Sequence, residues 1–578
     1  MSVPPEAGVP ERATGPGAAE VEAQLEPDAA NIDAAADDGR AGWARPAAMG
    51  RIAGAAAVIT LLTVVARLAG FGRTFVFLHT VGHGGLANVY NAANTIPNIV
   101  FEIVAGGALA SLVVPLLAGA VADGDRARVT AVASALLTWV LTLLVPLALV
   151  VALAAGPIAG LLDIPAADQV VAARMLRVFA PQLPLYGIGI VLTGVLQAHH
   201  RFAWPVIAPL LSSVTVMTAY LSYAALDGAG TDLPGLSSAG ELTLSIGTTL
   251  GVVVLALCLL VPMRRLRLRL RPRYRFPGGE GRQAMRLGWA GAVTVGAQQI
   301  MVVTVVALAV HGPLTLYNAA QTMFLLPWAV LAVPLATAVY PGLATAAARG
   351  DEAGYADALA RTARSVMLLA CLGAAALAAL AQPAAALLNA DGAAPGMVGF
   401  APGLLGYALF ALLSRALYAR GATAAAALAT AAGWAVAAVS AVALSAALPG
   451  RGQVFGLGLA NTVGMTVLGL LLVLAVRRRA GAAALAGLPR AAGVGIVAAI
   501  AAGLAAWAVA YGTGHALAAA PDAVRGLAQG ILGGVVLAVG FVAVAYPLDR
   551  HDVRPLVATL ARRLRSRGAG TPNGRDKP

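Results

Sequence analysis

The chain has 578 residues, 59% of them hydrophobic and only 11% charged, with a mean hydropathy of +0.81. Soluble domains carry about 25% charged residues, so an ordinary soluble protein is excluded. The formal net charge of +13 would suit a nucleic-acid binder, but the placement of the arginines explains it without one.

Residues 1–48 are rich in Pro, Ala, Gly and acidic residues. They cannot bury a core and read as a disordered cytoplasmic extension, with no basic n-region or early apolar stretch of a secretory signal. Apolar runs long enough to span a bilayer as helices follow. They are read at 52–80, 86–120, 129–155, 170–198, 203–225, 243–263, 288–310, 314–341, 363–388, 398–418, 424–447, 454–476, 491–511 and 526–546. Strand-like alternation is absent from these runs, so a β-barrel is disfavoured.

Arginines crowd every second connection, above all "RRLRLRLRPRYRF" at 264–276, whereas the alternate connections such as "HTVGHGG" and "LDGAGTDLPGLSSAGE" are nearly free of them. The positive-inside rule turns this asymmetry into an even number of spans with both termini cytoplasmic. The arginines orient the chain and touch anionic lipid, so no nucleic-acid partner is expected. Cys258 and Cys371 lie inside apolar runs and read as small hydrophobes, without a disulfide framework or metal site.

The hexapeptide "YNAANT" at 90–95 returns as "YNAAQT" at 317–322, and "FAPQLPLY" at 179–186 returns as "FAPGLLGY" at 400–407. The offsets, 227 and 221 residues, each step over six spans. An even step gives both copies the same orientation, a parallel repeat about an axis along the membrane normal. The fold expected is an all-α polytopic membrane protein of about fourteen transmembrane helices, in two parallel six-helix lobes plus two extra helices. The lobes cover 49–276 and 277–480, the extra pair lies within 481–548, and a basic cytoplasmic tail covers 549–578.

Charges within spans are costly, roughly 2.5–3.5 kcal/mol each on insertion scales, and usually face a cavity or a partner. Span 1 holds Arg67 and Arg73, span 2 Glu102, span 4 Arg174 and Arg177, and span 10 Arg415. Arg67 and Arg73 are six residues apart, about 600° of helical rotation, and do not share a face of a straight helix; a kink at Gly70–Gly72 would bring them together. Arginine matches phosphate oxygens with a fork of donors, so these residues read as an anion clamp, with structural pairing or snorkelling as the alternative. Asn88, Asn91, Asn94 and Asn98 recur at three- and four-residue spacing on one face, near Pro97 and Gly106–Gly107. They form either a hinged polar cavity wall or a hydrogen-bonded packing seam. Pro327 is the matching break in span 8. No HExxH, GxSxG or phosphate-binding glycine loop is present, and neither enzyme nor cofactor is expected.

The stretch "ARLAGFGRTFVFLHTVGHGGLANVYNAANTIPNIVFEIVAGGALASLVVPLL" resembles the start of the MurJ (MviN) family of lipid II flippases, within the multidrug/oligosaccharidyl-lipid/polysaccharide exporter superfamily. The likeness continues in "RMLRVFAPQLPLYGIGIVLTGVLQAHHRFAWPVIAPLL" and "LYNAAQTMFLLPWAVLAVPLATAVYPGLA" and covers roughly residues 50–480. The resemblance implies a bacterial plasma-membrane transporter that moves lipid II from the inner to the outer leaflet by alternating access, in peptidoglycan synthesis. It implies that Arg67 and Arg73 match two functionally important arginines, and that the lipid tail runs along a groove near spans 13 and 14. The expected substrate site is Arg67, Arg73, Glu102, Asn88, Asn91, Asn94, Arg177 and Arg415, with Gly70, Gly72, Pro97, Gly106, Gly107 and Pro327 as hinges. The expected partners are the lipid-linked saccharide pyrophosphate, membrane lipids and cell-wall synthesis enzymes, the chain itself being monomeric. The chain departs from many relatives at Asn88, Phe101–Glu102, Gln321–Thr322 and "ARGATAAAA" at 419–427. These changes lower the cationic count of the cavity. They keep three other readings open: a flippase for another polyprenyl-pyrophosphate saccharide, a multidrug exporter of the same superfamily, and a non-transporting membrane scaffold.

Overall fold

In the computed structural model, the described residues are 65–103, 113–161, 165–199, 201, 203–277, 280–309, 313–550 and 552–554. The expected N-terminal extension, most of the basic tail and the hinge candidates Gly106 and Gly107 lie outside them. In chain order the helices are α1 (65–80), α2 (Gly85–Glu102), α3 (Val113–Ala122), α4 (Arg126–Leu153), α5 (Ala155–Gly160), α6 (Ala166–Phe179), α7 (Gln182–Ala198), α8 (Ala203–Asp227) and α9 (Ser238–Leu266). The second half has α10 (Glu280–Ala309), α11 (Leu314–Pro327), α12 (Val333–Ala348), α13 (Glu352–Ala379), α14 (Ala381–Leu387), α15 (Ala394–Phe400), α16 (Gly403–Ala419), α17 (Thr423–Ala447) and α18 (Gln453–Ala480), followed by α19 (Leu488–Ala516) and α20 (Asp522–Leu548). No strand occurs among the described residues. Among the described residues ten helices are long and apolar enough to cross a membrane, or eleven when the pair Asp391–Phe400 and Gly403–Ala419, bent by 57°, is taken as one span.

The packing repeats itself. In the first half α8 lies on α9, α7 on α9, α2 on α6, and α3 and α4 on α7; in the second half α17 lies on α18, α16 on α18, α11 on α15, and α12 and α13 on α16. Even the short helix α5, packed on α6, has its counterpart in α14, packed on α15. The hairpin α19–α20 has no counterpart among the described helices and rests on α13 and α14 of the second half.

Each half breaks its fourth span at the same words. Pro181 and Pro402, in the two "FAP" motifs, cannot donate a backbone hydrogen bond. In the second half Thr462 Oγ1 of α18 donates to Gly399 O at 2.6 Å and accepts from Gly403 N at 3.0 Å. The hydroxyl thus stands in the gap between a carbonyl and the amide four residues on. In the first half Thr249 Oγ1 of α9 donates to Val178 O at 2.9 Å and accepts from Gln182 Nε2 at 3.1 Å. Val178 and Gln182 are the residues 221 positions before Gly399 and Gly403.

Small residues set the spacing of the second half. A Cβ at Gly406 would run into the carbonyl of Met465, and one at Gly399 would stand 2.6 Å from Phe455 O. In lipid, where burial of apolar surface drives little association, such backbone approach supplies the packing energy.

Candidate functional site

The two halves meet where α2 and α11 begin, at the arginine-poor end of the bundle. Asn88 Oδ1 accepts from Thr315 N at 2.9 Å, and Asn91 Nδ2 donates to Thr315 Oγ1 at 2.9 Å. Beneath this contact lies a cavity of about 80 Å³ lined by Arg73, Asn91, Tyr220, Thr315, Asn318 and Thr322. Arg73 is its one cation among the described residues. The electrostatic neighbours of the guanidinium are the phenols of Tyr220, Tyr90 and Tyr186, with no carboxylate among them. Tyr90 OH is itself bonded to Tyr220 OH at 2.9 Å and Thr248 Oγ1 at 2.6 Å, so the wall around Arg73 is a connected set of hydroxyls.

A second group of charges sits further along the bundle. Tyr407 of α16 has both Arg67 and Glu102 as electrostatic neighbours. Tyr186 of α7 has Arg73 and Glu102, and its hydroxyl donates to Asn98 Oδ1 at 3.0 Å. These tyrosines close the two "FAP" motifs and are equivalent in the repeat. Each is backed by an aromatic at a matching place: Phe101 against Tyr186 at 4.3 Å between centroids and Trp328 against Tyr407 at 4.7 Å. Position 328 is 227 residues beyond 101. The second half passes into a π-turn just there, spanning Trp328–Ala332. Such turns loosen an α-helix locally and are frequent at functional sites.

The structure distributes the expected site residues as follows. Arg67 and Glu102 are exposed and Arg73 is half-buried; the three are linked through Tyr186 and Tyr407. Residues 65–80 stay helical through Gly70–Gly72. A Cβ at Gly70 would meet nothing, and one at Gly72 only Met217 Sδ at 3.8 Å, so close packing does not demand either glycine. Asn88 and Asn91 form the seam between halves, and Asn91 also lines the cavity. Asn98 braces Tyr186. Asn94 is buried with its Oδ1 lacking a partner among the described residues. Pro97 is buried inside α2, which continues through it, and Pro327 ends α11 at the π-turn. Arg177 is exposed in the last turn of α6 and is not among the described residues that line the cavity, while its neighbour Arg174 is held by Glu241 with Nε–Oε1 at 2.8 Å. Arg415 is half-buried two turns beyond Tyr407; its Nη1 donates to Ala411 O at 2.6 Å, next to Tyr418 and Tyr340. Sequence reasoning assigned no binding role to Tyr90, Tyr186, Tyr220, Tyr407, Thr315, Asn318 and Thr322, although it marked Gln321–Thr322 as a departure that changes the cavity. The repeated motifs end on or contain five of these seven, and that was the available signal.

The arrangement can hold an anionic group by a guanidinium and neutral donors, a strong mode of phosphate recognition where water is scarce. Among the described residues no group of three His, Cys, Asp or Glu is placed to hold a metal. An apolar groove of about 680 Å³ opens between α13, α16 and α19, lined by residues such as Ala375, Leu405, Ile500 and Trp507.

The chain resembles known proteins over most of its length. The profile of the lipid II flippase MurJ matches residues 77–518. A probable lipid II flippase MurJ of Rhizobium meliloti is 27% identical over 56% of this chain and 61% of its own length. A protein of the same description from Synechocystis sp. is 26% identical over 37% of this chain and 40% of its own length. The chain thus aligns with less than two thirds of each of these curated relatives. Among solved structures, lipid II flippase MurJ in an inward closed conformation superposes with a TM-score of 0.66 at 16% identity, covering 85% of this chain and 99% of that one. An inward-facing multidrug resistance MATE family transporter of the MOP superfamily gives 0.59 at 15%, covering 73% and 94%. The fold is that of this superfamily, and the chain belongs to the lipid II flippase MurJ family.

Proposed function

We propose that this chain is a transporter of the bacterial plasma membrane that moves lipid II from the inner to the outer leaflet by alternating access, with both termini cytoplasmic. The observation that carries this reading is Arg73, set without a carboxylate in a polar cavity directly under the Asn88–Thr315 closure. A pyrophosphate entering between the halves would meet Arg67 first and Arg73 at the closed end. The groove between α13, α16 and α19 offers an apolar path for a polyprenyl tail. Opening of the α2–α11 seam would release the headgroup on the other side, with the two halves rocking about the shared axis.

The test is depletion of a host's own flippase with expression of this chain, scored as lipid II exposed on the outer leaflet. Rescue that is lost in Arg73→Ala at unchanged membrane abundance supports the proposal. Full rescue by that variant overturns the role of the cavity. A second reading is a flippase for a different polyprenyl-pyrophosphate saccharide: it shares the pyrophosphate that Arg73 would hold, and the acid at Glu102, near Tyr186 and Tyr407, would then face a saccharide other than that of lipid II. Failure of rescue by a correctly inserted chain favours that reading.

A further inference from the structure

Helix α9 ends at Arg267, a non-glycine residue at φ +52°, and the chain then runs outside any helix over 268–276. This strap lies along α4. Arg271 N donates to Ser134 Oγ at 3.2 Å, Arg273 N to Thr138 Oγ1 at 2.9 Å, and Trp139 Nε1 to Tyr274 O at 3.0 Å, while the Tyr274 hydroxyl meets Thr142 Oγ1 at 3.1 Å. Ser134, Thr138 and Thr142 are spaced four apart, so one helix face pins the strap backbone at fixed register. The register sorts the side chains with the period of two of an extended chain. Leu266, Leu268, Leu270 and Phe276 pack on the apolar cluster of the first half, and Arg267, Arg269, Arg271, Arg273 and Arg275 are exposed. None of these five forms an ion pair with a described carboxylate.

Two further observations identify the occupant. Trp139 and Tyr274 stack edge to face at 5.5 Å, both exposed; such rings mark the headgroup level of a bilayer. Earlier along the same strap is a groove of about 620 Å³ lined by Arg264, Arg269 and Arg271 and by an apolar floor that includes Leu260 and Met263. A soluble anion would use the arginines and leave the floor bare. A nucleic acid would need the arginines clear of the hydrocarbon boundary.

We infer that the 264–276 strap and the end of α9 form a binding site for one anionic phospholipid, its phosphate held by Arg264, Arg269 and Arg271 and the start of an acyl chain on Leu260 and Met263. The bound lipid fastens the connection between the two halves to the membrane surface. This site is separate from the cavity around Arg73, and it stands or falls independently of the transported cargo.

The full-length protein in mixed vesicles tests it, with spin-labelled phosphatidylglycerol and phosphatidylcholine and the motionally restricted fraction of each. The wild type favours phosphatidylglycerol. Arg269→Gln and Arg271→Gln each lower that preference about fivefold, as expected for one arginine at the surface. Arg269→Lys and Arg271→Lys keep most of it, which separates loss of charge from misfolding. Unchanged preference in the Gln variants overturns the proposal. So does an equal loss in Arg478→Gln, at the same end of the bundle but off the strap, and so does displacement of the labelled lipid by inorganic phosphate.

Discussion

Asn88 accepts a hydrogen bond from the amide of Thr315, and the two residues are 227 positions apart, the same interval that separates "YNAANT" from "YNAAQT". Residues at equivalent places in two halves related by a twofold axis can touch only at the axis. The contact therefore puts the axis through the tips of α2 and α11. Asn91 and Asn318, another equivalent pair, both line the cavity directly beneath. Arg73 breaks the symmetry there, because among the described residues the second half supplies no cation to that cavity. A single guanidinium on the axis of a duplicated fold faces both halves at once.

If the halves must part at this seam, tying it should stop transport. Asn88→Cys with Thr315→Cys, in a chain whose Cys258 and Cys371 are replaced, is expected to form a disulfide on oxidation and to abolish outer-leaflet lipid II in the depletion strain. Reductant should restore it. Undiminished transport by the oxidised pair would show that this seam stays shut throughout the cycle.

The threonines at the broken fourth spans are predicted to be structural and interchangeable in role. Thr462→Val keeps the shape but leaves Gly403 N and Gly399 O without their shared partner. A loss of about 1–2 kcal/mol is expected, with Thr462→Ser close to neutral. Denaturant titration of the purified protein reads this directly. Equal stability of the Val and Ser variants would mean that the break closes on itself when the hydroxyl is gone.

Much of the fold was legible because the duplication wrote itself twice in words with a polar or aromatic signature. Tyr90 packs against Phe179 at 5.7 Å and Tyr317 against Phe400 at 5.4 Å, so the two repeated motifs are contact partners within each half. That contact explains why both survive together. The site was less legible. Arg67 and Arg73 stood out as charges in apolar text, yet what they face is set by Tyr186, Tyr220 and Tyr407, which look like ordinary core aromatics in a linear reading. Thr249 and Thr462 were hidden for another reason. Their interval is 213 residues, different from those of the motifs they serve, because loop lengths differ between the halves. The divided role of the asparagines needed coordinates: one face of α2 serves seam, cavity and Tyr186 in turn.

Arg73 is predicted to act through the shape of its donor fork as well as its charge. Lysine keeps the charge but offers a point in place of a planar pair of donors. Arg73→Lys should fold normally and retain Tyr220 as a neighbour, yet transport roughly tenfold more slowly, the effect of about 1.4 kcal/mol from one lost charge-assisted hydrogen bond. The rate of lipid II appearance at matched protein level is the measurement. Equal rates for Lys and Arg would reduce the role of the residue to a fixed positive charge.

The start of α2 depends on a residue 146 positions away. Asp232, in the loop between α8 and α9, accepts from Leu86 N at 2.9 Å and from Leu233 N at 2.9 Å. Its partial burial alone would push the carboxyl up, but the amides of Leu86, Leu233 and Gly85 overcome this and hold it below its usual 3.8. A carboxylate with a depressed folded value stabilises the fold fully above the unfolded value and loses that contribution as pH falls through the folded one. The cap should therefore contribute evenly at neutral pH and fade only below 3.8. Asp232→Asn removes the charge at the helix N-terminus and is expected to cost about 1 kcal/mol near neutrality. The variant and the wild type should then converge in stability as the pH drops below that value. Thermal unfolding of both proteins across this range checks the sign: a gap that widens on acidification would place the stabilising charge elsewhere.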